Sequence, residues 1–376
     1  MTANPPTRIA QLRQASVAML DGLSPAEQRC QSHPELSPML WHVGHVLFME
    51  TYWLAERVFG DSSVTEAWRD LYVPEISAKD ARSARLPDAA DLRAWASALA
   101  EENDAYWQRA NDVDHPLLTD DYLAAFVRQH YAQHLETMRL VRAQLALAAD
   151  DVMPAAIEPA QPDGRFETIA AHSVDIGTPT IDAYDNEQPV FTAHPATFAI
   201  APYCVTNDQW LGFIQAGGYE CREWWDAAGW AWREQAQVQH PQHWQPLADG
   251  WAIAGDTTPD VGARPVHGIG WYEARAFARY AGARLPRELE WEAARRAGVL
   301  GDVEQVWEWC DDAFYPYPGF RAFPYDGYSM PWFDGAHFVA RGASVHSEPE
   351  VCRPGFRNFY PPTHRHVHAG LRLARA

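Results

Sequence analysis

At 376 residues the chain is long enough for two domains, each with its own core. Its net charge of −20 argues against nucleic acid or an anionic membrane as partner, because both call for a basic surface. A hydrophobic content of 47% with 21% charged residues is that of a folded soluble protein, and no run of 18 apolar residues is present to span a bilayer. The opening stretch MTANPPTRIAQLRQ lacks the apolar centre of a signal peptide. Cys30, Cys204, Cys221, Cys310 and Cys352 are an odd, scattered set without a CxxC. Both features fit a cytoplasmic protein with reduced thiols.

Residues 1–150 read as all-helical. Ile9–Leu23, Trp41–Val58, Asp88–Asn111 and Asp121–Leu147 carry apolar side chains at three- and four-residue spacing, which predicts an antiparallel four-helix bundle. Ser37-Pro38 is placed to supply an N-cap and first-turn proline for the second helix, and Leu86-Pro87-Asp88 does the same for the third. In the fourth helix His130 and His134 stand at i and i+4, one turn apart on one face, where two imidazoles can bind one metal ion. The second helix carries His42 and His45, and facing helices of a bundle are a usual place to assemble a metal site.

Residues 151–166 hold three Pro and a Gly and read as a linker to a second domain at 167–376. There the pattern changes to short β-like pieces such as Phe198–Val205, divided by Gly, Pro and Asn turns. Helices are expected near Asn207–Ala216 and Tyr272–Ala281. Most of the 17 Trp lie in this half, so its interior should be rigid and aromatic. The fold class is α+β. His364, His366 and His368 alternate as a strand would place them and could bind a metal as a cluster, but a surface strand or loop is expected, while His240 and His243 read as solvated in a Gln-rich loop. Acidic residues are dispersed, and no catalytic carboxylate pair stands out.

The second half resembles the formylglycine-generating-enzyme (sulfatase-modifying factor) fold, a variant of the C-type lectin fold. The motifs are Asp185-Asn186-Glu187-Gln188-Pro189, Tyr203-Cys204-Val205-Thr206-Asn207, Gly217-Gly218-Tyr219 and the run from Arg284 to Glu292. They continue with Val306-Trp307-Glu308-Trp309, Arg341-Gly342-Ala343-Ser344, Phe356-Arg357-Asn358 and Gly370-Leu371-Arg372. The first half resembles a DinB-type bundle. In this order the two are similar to the ergothioneine-biosynthesis sulfoxide synthases, and to their selenoneine synthase relatives. Those enzymes use non-haem Fe(II) and O2 to join sulfur, or selenium from a selenosugar, to the imidazole C2 of hercynine.

The resemblance implies iron ligands at His45, His130 and His134, with His42 outside the set. It implies Gln133 near the substrate imidazole, Asn358 beside the betaine, and Tyr325 and Tyr328 lining the iron cavity, one of them as proton donor. Arg82 and Arg85 fall where the sulfoxide synthases carry arginines for the donor's carboxylates. With metal ligands in one half and tyrosines in the other, the active site is expected in a cleft between domains. Three neutral imidazoles leave half of an octahedron open for substrate imidazole, donor and O2.

One departure bears on the donor. Many sulfoxide synthases read Trp-Asp-Tyr after Phe-Arg-Asn, and this chain reads Phe359-Tyr360-Pro361, without the acid that would hold an amino-acid ammonium. The expectation therefore leans to a selenosugar over γ-glutamylcysteine or cysteine. Two other readings stand beside it. A copper formylglycine-generating oxidase would need a close cysteine pair in the C-terminal core, where only Cys310 and Cys352 are available. A non-catalytic module would use the histidines for a closed structural metal site, with His42 as fourth ligand.

Overall fold

The computed structural model describes residues 5–147, 154–254 and 258–376. The chain divides into two compact units: Met1–Ala148 with Ser347–Val351, and Ala149–His346 with Cys352–Ala376.

The first unit is built on α1 (Pro5–Ala18), α2 (Met39–Thr51), α3 (Ala89–Ala110) and α4 (Tyr122–Leu147). Its core includes Ile9, Leu12, Val43, Leu47, Leu99, Leu123, Leu135 and Val141, which follow the helical spacing. The second helix runs on through a π-helical turn at Tyr52–Glu56 to Phe59, close to the extent its periodicity predicts. Its cap differs from the expectation. Pro38 is the N-cap residue and Met39 the first helical one, because the Ser37 hydroxyl accepts a hydrogen bond from Arg82 at 2.5 Å and is not turned to the helix backbone. Asp88 does take the N-cap position of α3, with its carboxylate paired to Arg29.

One carboxylate ties the bundle together. Glu50 on α2 accepts from Arg13 on α1, from the Trp107 indole on α3 at 3.0 Å and from the Tyr131 hydroxyl on α4 at 2.8 Å. Its side chain is fully buried, so these bonds supply what water would have given. Ser347–Val351 packs against α4 as well. Arg139 pairs with Glu348 at 2.6 Å, Arg8 pairs with Glu350, and the Ser347 hydroxyl donates to Glu136 at 2.8 Å.

The second unit holds a three-stranded sheet in the order β1 (Glu167–Ile169), β4 (Phe198–Ile200), β11 (Ala374–Arg375), and a four-stranded sheet in the order β10 (Ala369–Gly370), β7 (Trp307–Ala313), β8 (Phe338–Arg341), β9 (Asn358–Tyr360). The hairpins are β2 (Val174–Ile176) with β3 (Phe191–Ala193) and β5 (Trp244–Leu247) with β6 (Gly250–Ile253). The strand expected over 198–205 stops at Ile200; beyond it Pro202 cannot donate, though Ala201 and Val205 still bond Leu373 and Leu371. Helices α5 (Asn207–Gln215) and α7 (Trp271–Tyr280) stand where the sequence places them, and α6 (Ala227–Ala236) and α8 (Glu288–Arg296) were not foreseen. Residues 154–166 are extended along this unit: Ala155 donates to the Trp251 carbonyl and Ala160 to that of Asp208.

The aromatic core contains Trp291, Phe198, Ile200, Phe314 and Val339. Through it run buried ion pairs, Arg372–Glu308, Arg341–Glu292 and Arg357–Glu288. Arg372 ties a loop to strand β7, Arg341 of β8 is tied to the helix Glu288–Arg296, and Arg357 ties a loop to that same helix.

Candidate metal centre

The helix α2 presents His42 and His45, and α4 presents His130 and His134. The rings of His45, His130 and His134 converge, and one nitrogen from each lies within 4.8 Å of the others. Nε2 of His45 is 3.2 Å from Nε2 of His130. Nitrogens that share one metal at about 2.1 Å stand roughly 3.0–3.4 Å apart, so this pair is already at ligand spacing.

Orientation comes from the other ring atoms. Nδ1 of His45 is 2.8 Å from the Tyr72 carbonyl, so it carries the proton and leaves Nε2 bare for a ligand role. Gly44 makes this possible, since a Cβ there would lie 2.2 Å from the Tyr72 ring. The Trp41 indole stacks on the His45 ring at 4.5 Å, and the Arg82 guanidinium lies 3.8 Å from the Trp41 ring. Nδ1 of His134 is 3.1 Å from Nδ1 of His42. A metal on Nε2 of His134 requires the proton on its Nδ1, donated to His42. His42 then carries its own proton on Nε2, a buried atom without a hydrogen-bond partner.

Burial keeps these rings neutral, the form that binds metals. It pushes His130 down to about 4 and His42 to about 3, and holds His45 and His134 well below the ordinary imidazole range with repulsion from their neighbours added. His45 is buried, while His130 and His134 are partly exposed. Three imidazoles without a carboxylate fit a divalent transition metal and leave coordination positions for other ligands.

The remaining expected residues are placed as follows. Gln133 precedes His134 on α4 and is half-buried. Arg82 is buried, its guanidinium donating to the Ser37 and Ser77 hydroxyls and the Ser77 and Pro74 carbonyls. No carboxylate bonds it among the described residues, and burial lowers it to about 10. Arg85 donates to the Asp70 carbonyl at an exposed position.

In the second unit, Tyr325 is exposed and Tyr328 stacks on Tyr184 at 4.1 Å. Their loop is held at both ends by one carboxylate: Asp185 accepts from the Phe323 backbone at 3.3 Å and the Ser329 hydroxyl at 2.5 Å. Burial raises Asp185 to about 6. The Asn358 amide donates to the Tyr360 hydroxyl at 2.8 Å, and Phe359 stacks on Phe314 at 4.0 Å.

Two histidine readings need correction. His243 is not solvated: it is 2% exposed, because its ring is covered by His267, with Nδ1 to Nδ1 at 2.9 Å. His364, His366 and His368 lie in a loop, one of the two settings expected, but not at the surface, since His366 is buried. Residues 364–368 form no strand, and the His368 ring stacks on His267 at 3.8 Å. His267 was not singled out from the sequence at all; the signal available was the glycine that follows it.

Residues 8–138 match the DinB superfamily, and residues 158–305 and 303–376 match the sulfatase-modifying factor enzyme 1-like domain. The chain is 31% identical to a hercynine oxygenase from Mycolicibacterium thermoresistibile over 93% of this chain and 90% of that protein. It is 30% identical to a hercynine oxygenase from Mycobacterium tuberculosis over 97% of each. A formylglycine-generating enzyme from Thermomonospora curvata is 32% identical over only 31% of this chain and 42% of its own length. The bundle with its histidine cluster, the sheet-and-loop unit and these full-length likenesses agree, and the chain belongs to the hercynine oxygenase family.

Proposed function

We propose that this chain is an O2-dependent, non-haem iron enzyme that forms a carbon–selenium bond at the imidazole C2 of hercynine, with a selenosugar as donor. The observation that carries the metal assignment is the cluster of His45, His130 and His134, three neutral imidazoles with two nitrogens at ligand spacing. Bound Fe(II) would supply open coordination positions and electrons for O2. The protein's part is to hold and orient. Tyr72 and His42 fix the tautomers of His45 and His134. Gln133 and Asn358 are assigned to the substrate's ring and carboxylate, and Arg85 to a donor polar group. The hydroxyl of Tyr325 or Tyr328 is assigned the proton given to reduced oxygen. Trp and Tyr faces suit a trimethylammonium group.

The selenium reading rests on residues 359 and 360. An amino-acid donor brings an ammonium that needs a carboxylate, whereas this chain has Phe359 packed on Phe314 and Tyr360 bonded to Asn358. A sugar selenolate needs hydroxyl and aromatic partners. The test offers reduced, Fe(II)-loaded protein with hercynine and O2 a choice of 1-selenoglucose, γ-glutamylcysteine and cysteine, with products read by mass. The selenosugar should turn over fastest. Faster turnover of a thiol shifts the reading to a hercynine sulfoxide synthase, and absence of O2 uptake with every donor overturns the enzyme reading.

A further inference from the structure

The second unit contains another convergence of histidines, and it owes nothing to the bundle. His243, His267 and His368 each offer a ring nitrogen within 4.8 Å of the others. His243 and His267 approach Nδ1 to Nδ1 at 2.9 Å, near the roughly 3.0–3.4 Å edge of a shared metal's coordination shell. His368 stacks on His267, and His346 stands edge-on to His368 with ring centres 4.8 Å apart.

The backbone around this cluster is tightly laced. Gln242, next to His243, donates to the carbonyl of Gly268, next to His267. Ile269 donates to the carbonyl of Ala369, next to His368. His368 in turn accepts from Trp307 at the start of β7. Gly268 takes a positive φ of 76°, and a Cβ there would press on the His243 ring at 3.1 Å. Only a glycine lets this turn carry His267 so close to His243. Three histidines from three separate segments are thus held by bonds one residue away from each. The backbone is preorganised, while the His368 ring, stacked face-on to His267, must turn to aim a nitrogen at an ion shared with the other two.

The chemistry of the cluster points the same way. Burial first, and neighbouring imidazoles second, keep His267 and His368 unprotonated, so the rings are in the ligand form. The group contains no carboxylate, and three neutral nitrogens suit a borderline-soft divalent ion.

We propose that His243, His267 and His368 form a second metal site, taking Zn2+ or a similar divalent transition ion with water completing a tetrahedron. Its place among three loops of one unit means that a bound ion would hold residues 240–243, 266–268 and 366–368 together, with its fourth position open. The proposal is independent of the bundle site and of the reaction assigned to it.

The test uses the full chain with the bundle site removed by the double substitution His130→Ala/His134→Ala. Metal-stripped protein is titrated with Zn2+ and, separately, with Co2+. The expected result is one equivalent of Zn2+ per chain, X-ray absorption showing three imidazole nitrogens, a tetrahedral Co2+ spectrum, and a melting temperature raised by roughly 5 °C at saturating Zn2+. Adding His267→Ala, or in a second series His243→Gln, should abolish all four signals while the far-ultraviolet circular dichroism stays that of the parent. If the parent binds no Zn2+ beyond what these variants bind, or its Zn2+ shell contains fewer than two imidazoles, the proposal is overturned. A variant that loses its fold is replaced by His368→Asn, and Zn2+ uptake by that folded variant equal to the parent's overturns it too.

Discussion

The carbonyl of Tyr72 holds Nδ1 of His45 at 2.8 Å, and the Tyr72 ring occupies the space that a side chain at Gly44 would need. One residue therefore sets both the depth of α2 in the bundle and the tautomer of a proposed metal ligand. Gly44→Ala drives a methyl into the Tyr72 ring and must shift either the ring or the helix. We expect about a 10–100-fold loss of iron affinity, as for other losses of a ligand's hydrogen-bond partner, with the helical circular dichroism retained. Iron titration of the purified variant checks it, and unchanged affinity would separate Tyr72 from the metal site.

His42 and His130 should behave differently. His130→Ala removes a proposed ligand, so bound iron and activity should vanish together. His42→Ala removes the hydrogen-bond partner of His134 and should leave iron bound, with affinity lowered by about tenfold. Metal content by elemental analysis after gel filtration distinguishes the two. A His42 variant as empty as the His130 variant would place His42 among the ligands.

Glu50→Ala leaves Arg13, Trp107 and Tyr131 facing a vacated carboxylate site inside the bundle. Arg13 keeps Asp104 but loses its buried partner, a change that costs up to about 3–5 kcal/mol, so the variant should unfold at markedly lower urea concentration. Glu50→Gln, which keeps an acceptor for one or two of the three donors, should lose less. Equal losses in the two variants would mean that volume, and not the hydrogen bonding, matters at this position.

Asp185 gives a pH signature. Burial raises its folded pKa from 3.8 to about 6, so between these values the folded chain holds a proton that the unfolded chain has released. Its contribution to stability is complete below pH 3.8 and is lost as the pH rises through about 6. Asp185→Asn removes this dependence. The stability of the variant relative to the parent should improve between pH 5 and pH 7.5, by about 1.4 kcal/mol. Urea unfolding at both pH values measures the difference, and a constant offset across the range would show that Asp185 is not held protonated in the fold.

The bundle was legible in the sequence because its helices are long and their apolar spacing repeats over several turns. The same spacing put His130 and His134 on one face, and placing them beside His45 needed only that α2 and α4 be neighbours. What stayed hidden depended on residues far apart in the chain. Ser37 looked like a helix cap until Arg82, 45 residues on, took its hydroxyl. The helix Glu288–Arg296 was hidden by its charge: Glu288, Glu290 and Glu292 look solvated in a linear sequence but lie buried, two of them against Arg357 and Arg341. The cluster of His243, His267 and His368 joins three loops, and no periodicity links residues in loops. The fit of residues 359 and 360 against Phe314 and Asn358 likewise comes from a β-sheet whose register no local pattern reveals.

The five residues Ser347–Val351 give the chain an order of assembly that differs from its order of synthesis. Arg139 leaves the ribosome 209 residues before the Glu348 that neutralises it, and Arg8 leaves 342 before Glu350. At ordinary translation rates the newly made helices wait about 10–40 s for that partner after Arg139 has emerged. During that interval the seat of Val351 stays uncovered, although Val351 is fully buried once in place. The helical unit is thus begun first and completed only after residues 149–346 of the second unit have been made.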